Sequence, residues 1–143
     1  MTLVSALRAV VGDDGLLVRD EELYAYEADG LTLHRGLPAA VVLPRDKTDV
    51  QRLVRVCRAH GVPFVPRGAG TGLSGGATAI EGGVVIELQR MDRIVRVDAQ
   101  DRLAVVQPGV VNADLSKAVA PLGLFYAPDP SSQQACTIGG NVA

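Results

Sequence analysis

The chain has 143 residues, of which 48% are hydrophobic and 21% charged, with a formal net charge of −2. That length sustains one domain with its own core, or part of a larger one. The charge balance offers no basic field for nucleic acid or an anionic membrane surface. Cys57 and Cys136 are the two cysteines, far apart in sequence. They form neither a disulfide framework nor a metal-ligand pattern, so a reducing, cytoplasmic setting is expected and no metal site. The first residues lack the basic and apolar regions of a signal peptide, and no apolar run approaches the length of a membrane span.

Leu3, Ala6, Leu7 and Val10 follow helical spacing, with Thr2 as N-cap and Gly12 as stop. A short second helix is expected over residues 21–28 and a loop over 30–38. The Val-rich run 39–43, bounded by Pro38 and Pro44, reads as a buried strand. Thr48 then offers an N-cap with Gln51 completing a capping box, and Val50, Leu53, Val54 and Cys57 form one apolar face that Gly61 terminates. Residues 62–65 read as the next strand, making a β-α-β unit with parallel strands.

Three further strands are expected over 83–88, 94–98 and 103–107, the last two joined by the short turn Ala99-Gln100-Asp101 and therefore antiparallel. Asn112 can cap a last helix with Leu115, Ala118, Val119 and Leu122 on its apolar face and Gly123 as its stop. Residues 125–127 read as a brief extended piece, and everything after Pro128 as loop.

The segment Pro66-Arg67-Gly68-Ala69-Gly70-Thr71-Gly72-Leu73-Ser74-Gly75-Gly76 carries the chemistry. Glycines this dense let the backbone turn repeatedly and let a ligand approach the main chain unobstructed. Successive N–H groups then form a concave nest for anionic oxygens. Thr71 and Ser74 add hydroxyl donors, and Arg67 could supply charge. A flexible surface loop is the bland alternative, but such linkers do not usually join buried strands directly. The run Gly70 to Gly75 also matches the GxGxxG dinucleotide fingerprint, which needs a helix opening within the loop. Glu81-Gly82-Gly83 and a new strand follow too soon for more than about a turn of helix. No Gly-Lys-Ser/Thr follows, which excludes a Walker A loop.

These residues resemble the pyrophosphate loop of the vanillyl-alcohol oxidase/p-cresol methylhydroxylase type of FAD-binding domain. Asp129-Pro130-Ser131-Ser132 and Cys136-Thr137-Ile138-Gly139-Gly140-Asn141-Val142-Ala143 resemble that family's second FAD-contacting segment, and Ala40-Val41-Val42-Leu43-Pro44 fits its entry strand. The branch most similar is that of the glycolate oxidase FAD subunit and the D-lactate and D-2-hydroxyacid dehydrogenases. The resemblance implies an α+β fold: a small parallel β-α-β subdomain over about residues 1–66, then the start of a larger mixed or antiparallel sheet subdomain over 67–143. It covers the whole chain but only the first part of the family's length. The rest of the FAD domain and the C-terminal substrate domain would then lie outside a fragment or a short gene product.

By the same resemblance, Arg67, Gly68, Ala69, Gly70, Thr71, Gly72, Leu73, Ser74 and Gly75 wrap the pyrophosphate. Thr137, Ile138, Gly139, Gly140 and Asn141 approach the flavin and its ribityl chain, with Asp129, Ser131 and Ser132 close by. Relatives that attach FAD covalently use a His in this loop where the chain has Thr71, so non-covalent FAD is expected. The implied reaction oxidises a small 2-hydroxy acid to a 2-oxo acid, with hydride passing to flavin N5. The family's substrate-binding and catalytic residues lie mostly in the C-terminal domain, so none is assigned to this chain, and alone the chain is expected to bind FAD weakly or not at all. A second flavin subunit and an iron–sulfur subunit are the implied partners. A nicotinamide-dependent Rossmann enzyme and a non-catalytic nucleotide-binding module stay open as alternatives. Cys136, Cys57, His34 and His60 read as packing or surface residues rather than as reactive groups.

Overall fold

The computed structural model describes all 143 residues. Helix α1 spans Leu3–Val11 and is capped by Thr2, whose side chain accepts the Ser5 N–H. Gly12 ends it at φ +77°, a conformation that suits glycine. A strand that the composition did not suggest, β1 at Leu16–Leu17, pairs antiparallel with β2 at Ala40–Val42.

The expected helix over 21–28 is instead a single turn, α2 at Asp20–Leu23, tightening into a 3₁₀ turn at Tyr24–Tyr26. Leu23 is its one buried side chain, so little packing energy holds a longer helix there. Helix α3 spans Lys47–Ala59. Asp46 caps it in place of Thr48, its carboxylate accepting the N–H groups of Thr48 and Asp49 at 2.7 and 3.0 Å. An anionic acceptor at the positive end of a helix outcompetes a hydroxyl two residues on. The Asp49 bond and, after a desolvation cost, the Thr48 bond hold the Asp46 carboxyl below its ordinary range.

Strand β3, at Phe64–Arg67, starts two residues later than the expected 62–65. It pairs in parallel with β4 at Val84–Glu87, in the register Phe64–Val84 to Arg67–Glu87. β4 also pairs in parallel with β2, giving the order β1-β2-β4-β3. The two strands of the β-α-β unit are therefore parallel but not adjacent. β4 lies between them, so the first sheet does not end at residue 66 but takes its central strand from beyond the glycine loop. The uniformly buried run Val84–Glu87 suits that central place. β3 is the edge strand, which accommodates Pro66, a residue with no N–H to donate.

Strand alternation sorts the core onto two faces. Ala40, Val42, Val84 and Ile86 pack with Leu7, Val11, Leu53 and Cys57 beneath α1 and α3. Val41 and Val85 point the other way, against Leu23 and Ala79. The second layer begins with the expected hairpin of β5 (Ile94–Asp98) and β6 (Leu103–Val106), antiparallel and with a register shift at Ile94/Arg96. Helix α4 (Asn112–Val119) packs Leu115 and Val119 on Val110 and Ile138. Asn112 does not cap it; the residue is the first helical position, and its side chain donates to the Pro128 carbonyl at 3.0 Å. Residues 125–127, expected to be extended, belong to no strand or helix.

The tail after Pro128 is not all loop: Ile138–Val142 forms a short helix, α5. Buried Ile138 anchors it. The absent side chain of Gly139 lets its backbone sit on Pro108, where a Cβ would come within 2.6 Å of the proline ring.

Candidate functional site

The glycine loop leaves the C-terminal end of β3 and returns to the N-terminal end of β4 with no helix over residues 68–83. A nicotinamide fingerprint needs a helix opening within the loop, so that alternative lacks its anion-binding element. Gly70 has φ +69° and Gly75 φ +81°. At Gly70 a side chain would also collide with the Arg67 guanidinium.

None of the seven main-chain N–H groups from Gly68 to Ser74 donates a hydrogen bond within the protein. These residues are half-buried or exposed, so their N–H groups face water and stand free for an anionic ligand to take its place. They border a cleft of about 450 Å³ lined by Gly68, Ala69, Gly70, Thr71, Gly72, Leu73 and Ser74 on one side. Ser132, Cys136, Thr137, Gly140, Asn141 and Ala143 line the other. The loop and the tail motif, some sixty residues apart in the chain, thus face one another across a single opening.

The tail is held in place by main-chain bonds to the residues around the start of α4. The Asn112 N–H donates to Cys136 and the Ala113 N–H to Gln133, both at 3.0 Å, while the Ile138 and Gly139 N–H groups donate to Val110 and Pro108. Thr137 pairs with Val111 in an antiparallel bridge. Where the two walls meet, Gly68 abuts the Thr137 hydroxyl so closely that any side chain there would overlap it. Thr137 Oγ1 and Asn141 Nδ2 are buried without a hydrogen-bond partner. Orphaned polar atoms at a cleft wall cost stability unless a ligand or water satisfies them.

Not every residue singled out from sequence lines the cleft. The Arg67 guanidinium turns beneath the loop, where Nη1 donates to the carbonyls of Ala28 and Ala77 at 2.8 and 2.9 Å. It also lies over the Tyr26 ring, 5.5 Å from the centroid. Arg67 is therefore placed as a brace for the loop and not as a group facing the opening. Gly75 is outside the lining, and its N–H is already taken by the Asp29 carboxylate at 2.7 Å. Ile138 is core and Gly139 packs on Pro108. Asp129 and Ser131 are exposed beside the opening's sequence segment but not in its wall.

Sequence reasoning missed the segment that tethers the loop from below. Asp29 accepts from Leu31 and Gly75, and the Gly30 N–H donates to Gly72 at 2.9 Å. These bonds, Leu31 first and Gly75 next, hold the Asp29 carboxyl below its ordinary range. The only sign in the sequence was the turn composition Asp29-Gly30, which does not name its distant partner. Cys136, read as packing, is buried and also forms part of the wall. Under the loop, Glu87 is buried next to Arg67 and Tyr26. Burial pushes its carboxyl up to about 7, against a bond from the Gln89 N–H and the Arg67 charge. Burial, then the Glu87 charge, likewise raises the Tyr26 hydroxyl.

A cleft walled by free amides, small residues and two orphaned polar side chains fits an extended dinucleotide with a central diphosphate. Comparison with known proteins agrees. Residues 38–143 match the family model described as "FAD binding domain". The chain is 50% identical over 142 residues to the glycolate oxidase subunit GlcD of Escherichia coli (strain K12), covering 99% of this chain and 28% of that protein. It is 38% identical to the D-2-hydroxyglutarate dehydrogenase of Stutzerimonas stutzeri, covering 98% of this chain and 30% of the relative. The chain thus spans under a third of the length of these curated relatives. Among solved structures, p-cresol methylhydroxylase with substrate bound superposes with a TM-score of 0.83 at 26% identity, covering 97% of this chain and 28% of that one. The cleft, the two-layer α+β fold and these matches converge: the chain belongs to the FAD-binding domain family of the p-cresol methylhydroxylase type.

Proposed function

We propose that this chain supplies the diphosphate-binding part of a non-covalent FAD site in an oxidoreductase acting on a small 2-hydroxy acid. The observation that carries the reading is the run of unpaired N–H groups from Gly68 to Ser74, in residues that line one cleft with Thr137, Gly140 and Asn141. Backbone dipoles bind an anion without a neutralising side chain, which suits a cleft whose nearest arginine is turned away. Gly68, Ala69, Gly70, Thr71, Gly72, Leu73 and Ser74 would hold the diphosphate, while Ser132, Thr137, Gly140 and Asn141 would border the flavin end. Thr71 stands where covalent relatives carry a histidine, and a hydroxyl there leaves the flavin unattached.

When bound, FAD supplies the two-electron acceptor chemistry, while the protein supplies binding, orientation and electrostatics. The relatives named for glycolate and D-2-hydroxyglutarate both act on 2-hydroxy acids, which supports that substrate class. No side chain of this chain is assigned a catalytic role. The Escherichia coli relative is named as a subunit, which supports a multi-subunit setting, with a second flavin subunit and an iron–sulfur subunit as proposed partners. No helix is long and apolar enough to cross a membrane.

Equilibrium dialysis against FAD and against NAD tests the reading. Saturable retention of FAD in preference to NAD is expected, with all retained flavin released into the supernatant by acid precipitation. Preference for NAD would overturn the cofactor, and flavin remaining in the pellet would overturn non-covalent attachment.

A further inference from the structure

An unliganded run of glycines is costly to order, because each residue surrenders more backbone freedom than any other type. The Gly68–Ser74 amides can act as a preformed nest only if something outside the loop fixes its curvature. Within the loop and the turn that follows, only one main-chain bond does so, from the Thr78 N–H to the Gly75 carbonyl. Arg67 braces the loop through the Ala77 carbonyl, and Ala28, Asp29 and Gly30, about forty residues away in sequence, supply further ties.

We propose that Asp29 is a positioning residue for the diphosphate nest, setting the loop's shape through the Gly75 N–H without touching the ligand. One carboxylate oxygen accepts Gly75 at 2.7 Å and the other accepts Leu31 at 3.0 Å, so the side chain is locked at both oxygens. Its neighbour Gly30 donates to Gly72 at 2.9 Å, and a Cβ on Gly30 would sit 3.0 Å from the Thr71 carbonyl. Two successive residues therefore pin both ends of the Gly72–Gly75 stretch. Asp29 is buried at 7% exposure and lies outside the cleft wall. A negative charge below an anion site opposes the ligand's charge, so its presence is explained by geometry and not by attraction.

This inference rests on the diphosphate reading above. The test is FAD dialysis with the wild-type chain, Asp29→Ala and Asp29→Asn, paired with amide NMR of Gly75 and thermal melting. Removing a carboxylate acceptor is expected to weaken FAD binding about tenfold in Asp29→Ala. Asp29→Asn, which keeps one oxygen and sheds the charge, is expected to recover at least half of that loss on a logarithmic scale. The Gly75 amide should lose its exchange protection in Asp29→Ala while helix α3 amides keep theirs. Binding by Asp29→Ala equal to wild type would overturn the role, as would losses in both variants that track only a falling melting temperature. If Asp29→Ala does not fold, Gly30→Ala is the second probe, and wild-type affinity there would overturn the proposal. Failure of the wild-type chain itself to retain FAD would instead overturn the diphosphate reading, whatever the variants do.

Discussion

Arg67 and Glu87 are register partners at the C-terminal ends of the parallel strands β3 and β4, buried at 8% and 3% exposure directly beneath the glycine loop. Opposite charges so placed would ordinarily lower a carboxyl pKa. Here desolvation outweighs the attraction, and the Glu87 carboxyl stands at about 7 rather than 4.5. The Arg67 Nη1 is occupied by two carbonyls, which leaves Glu87 without that donor.

The raised carboxyl gives a signed pH dependence. The folded state binds the Glu87 proton more tightly than the unfolded chain does, so its stabilising contribution is full below about pH 4.5 and is lost as pH rises to about 7. Glu87→Gln mimics the protonated form. It is expected to flatten that slope and to raise stability at pH 8 by on the order of 1 kcal/mol, with little change near pH 4.5. Urea melts of both chains across this pH range check it.

Gly70 carries two constraints at once, a φ of +69° and contact with the Arg67 guanidinium. Gly70→Ala is expected to cost about 1 kcal/mol from the left-handed backbone alone. It should also dislodge Arg67 from Ala28 and Ala77, loosening the nest. Thermal unfolding measures the first effect, and FAD dialysis measures the second as a loss of affinity. Gly72→Ala is the control for the thermal effect alone, because a Cβ there meets no protein atom and its φ is not positive.

Helix α3 supports the face of the sheet opposite the loop tether through Leu53 and Cys57. Its cap rests on Asp46, so Asp46→Ala is expected to lower the melting temperature, and Thr48→Ala to lower it much less. The melting temperatures of the two variants rank the caps directly.

Local chemistry made part of this molecule legible. The spacing of Leu53 and Cys57 announced α3, the Ala99-Gln100-Asp101 turn announced the β5–β6 hairpin, and the glycines announced the helix-free loop between β3 and β4. Long-range pairing did not show. Nothing near Val84 says that β4 inserts between β2 and β3, because that choice is made by strands distant in sequence. Helix α5 was hidden because Gly139 and Gly140 are poor helix formers, and it persists through Ile138 burial and the Pro108 contact. Within the site, some motif residues line the cleft while Gly75, Ile138, Gly139, Asp129 and Ser131 do not, and the Asp29 brace had no signal tying it to the loop. Asp29 reaches Gly75 across 46 positions, and Arg67, read as a ligand group, was drawn under the loop by the Ala28 and Ala77 carbonyls.

The central claim is that backbone amides of the glycine loop hold the FAD diphosphate. Amide NMR of the isotope-labelled chain during FAD addition addresses it most directly. Shifts should concentrate on Gly68 to Ser74 and on Thr137, Gly140 and Asn141, with NAD producing much smaller changes. Saturating shifts that bypass the loop, or loop shifts produced by NAD and not by FAD, would contradict it.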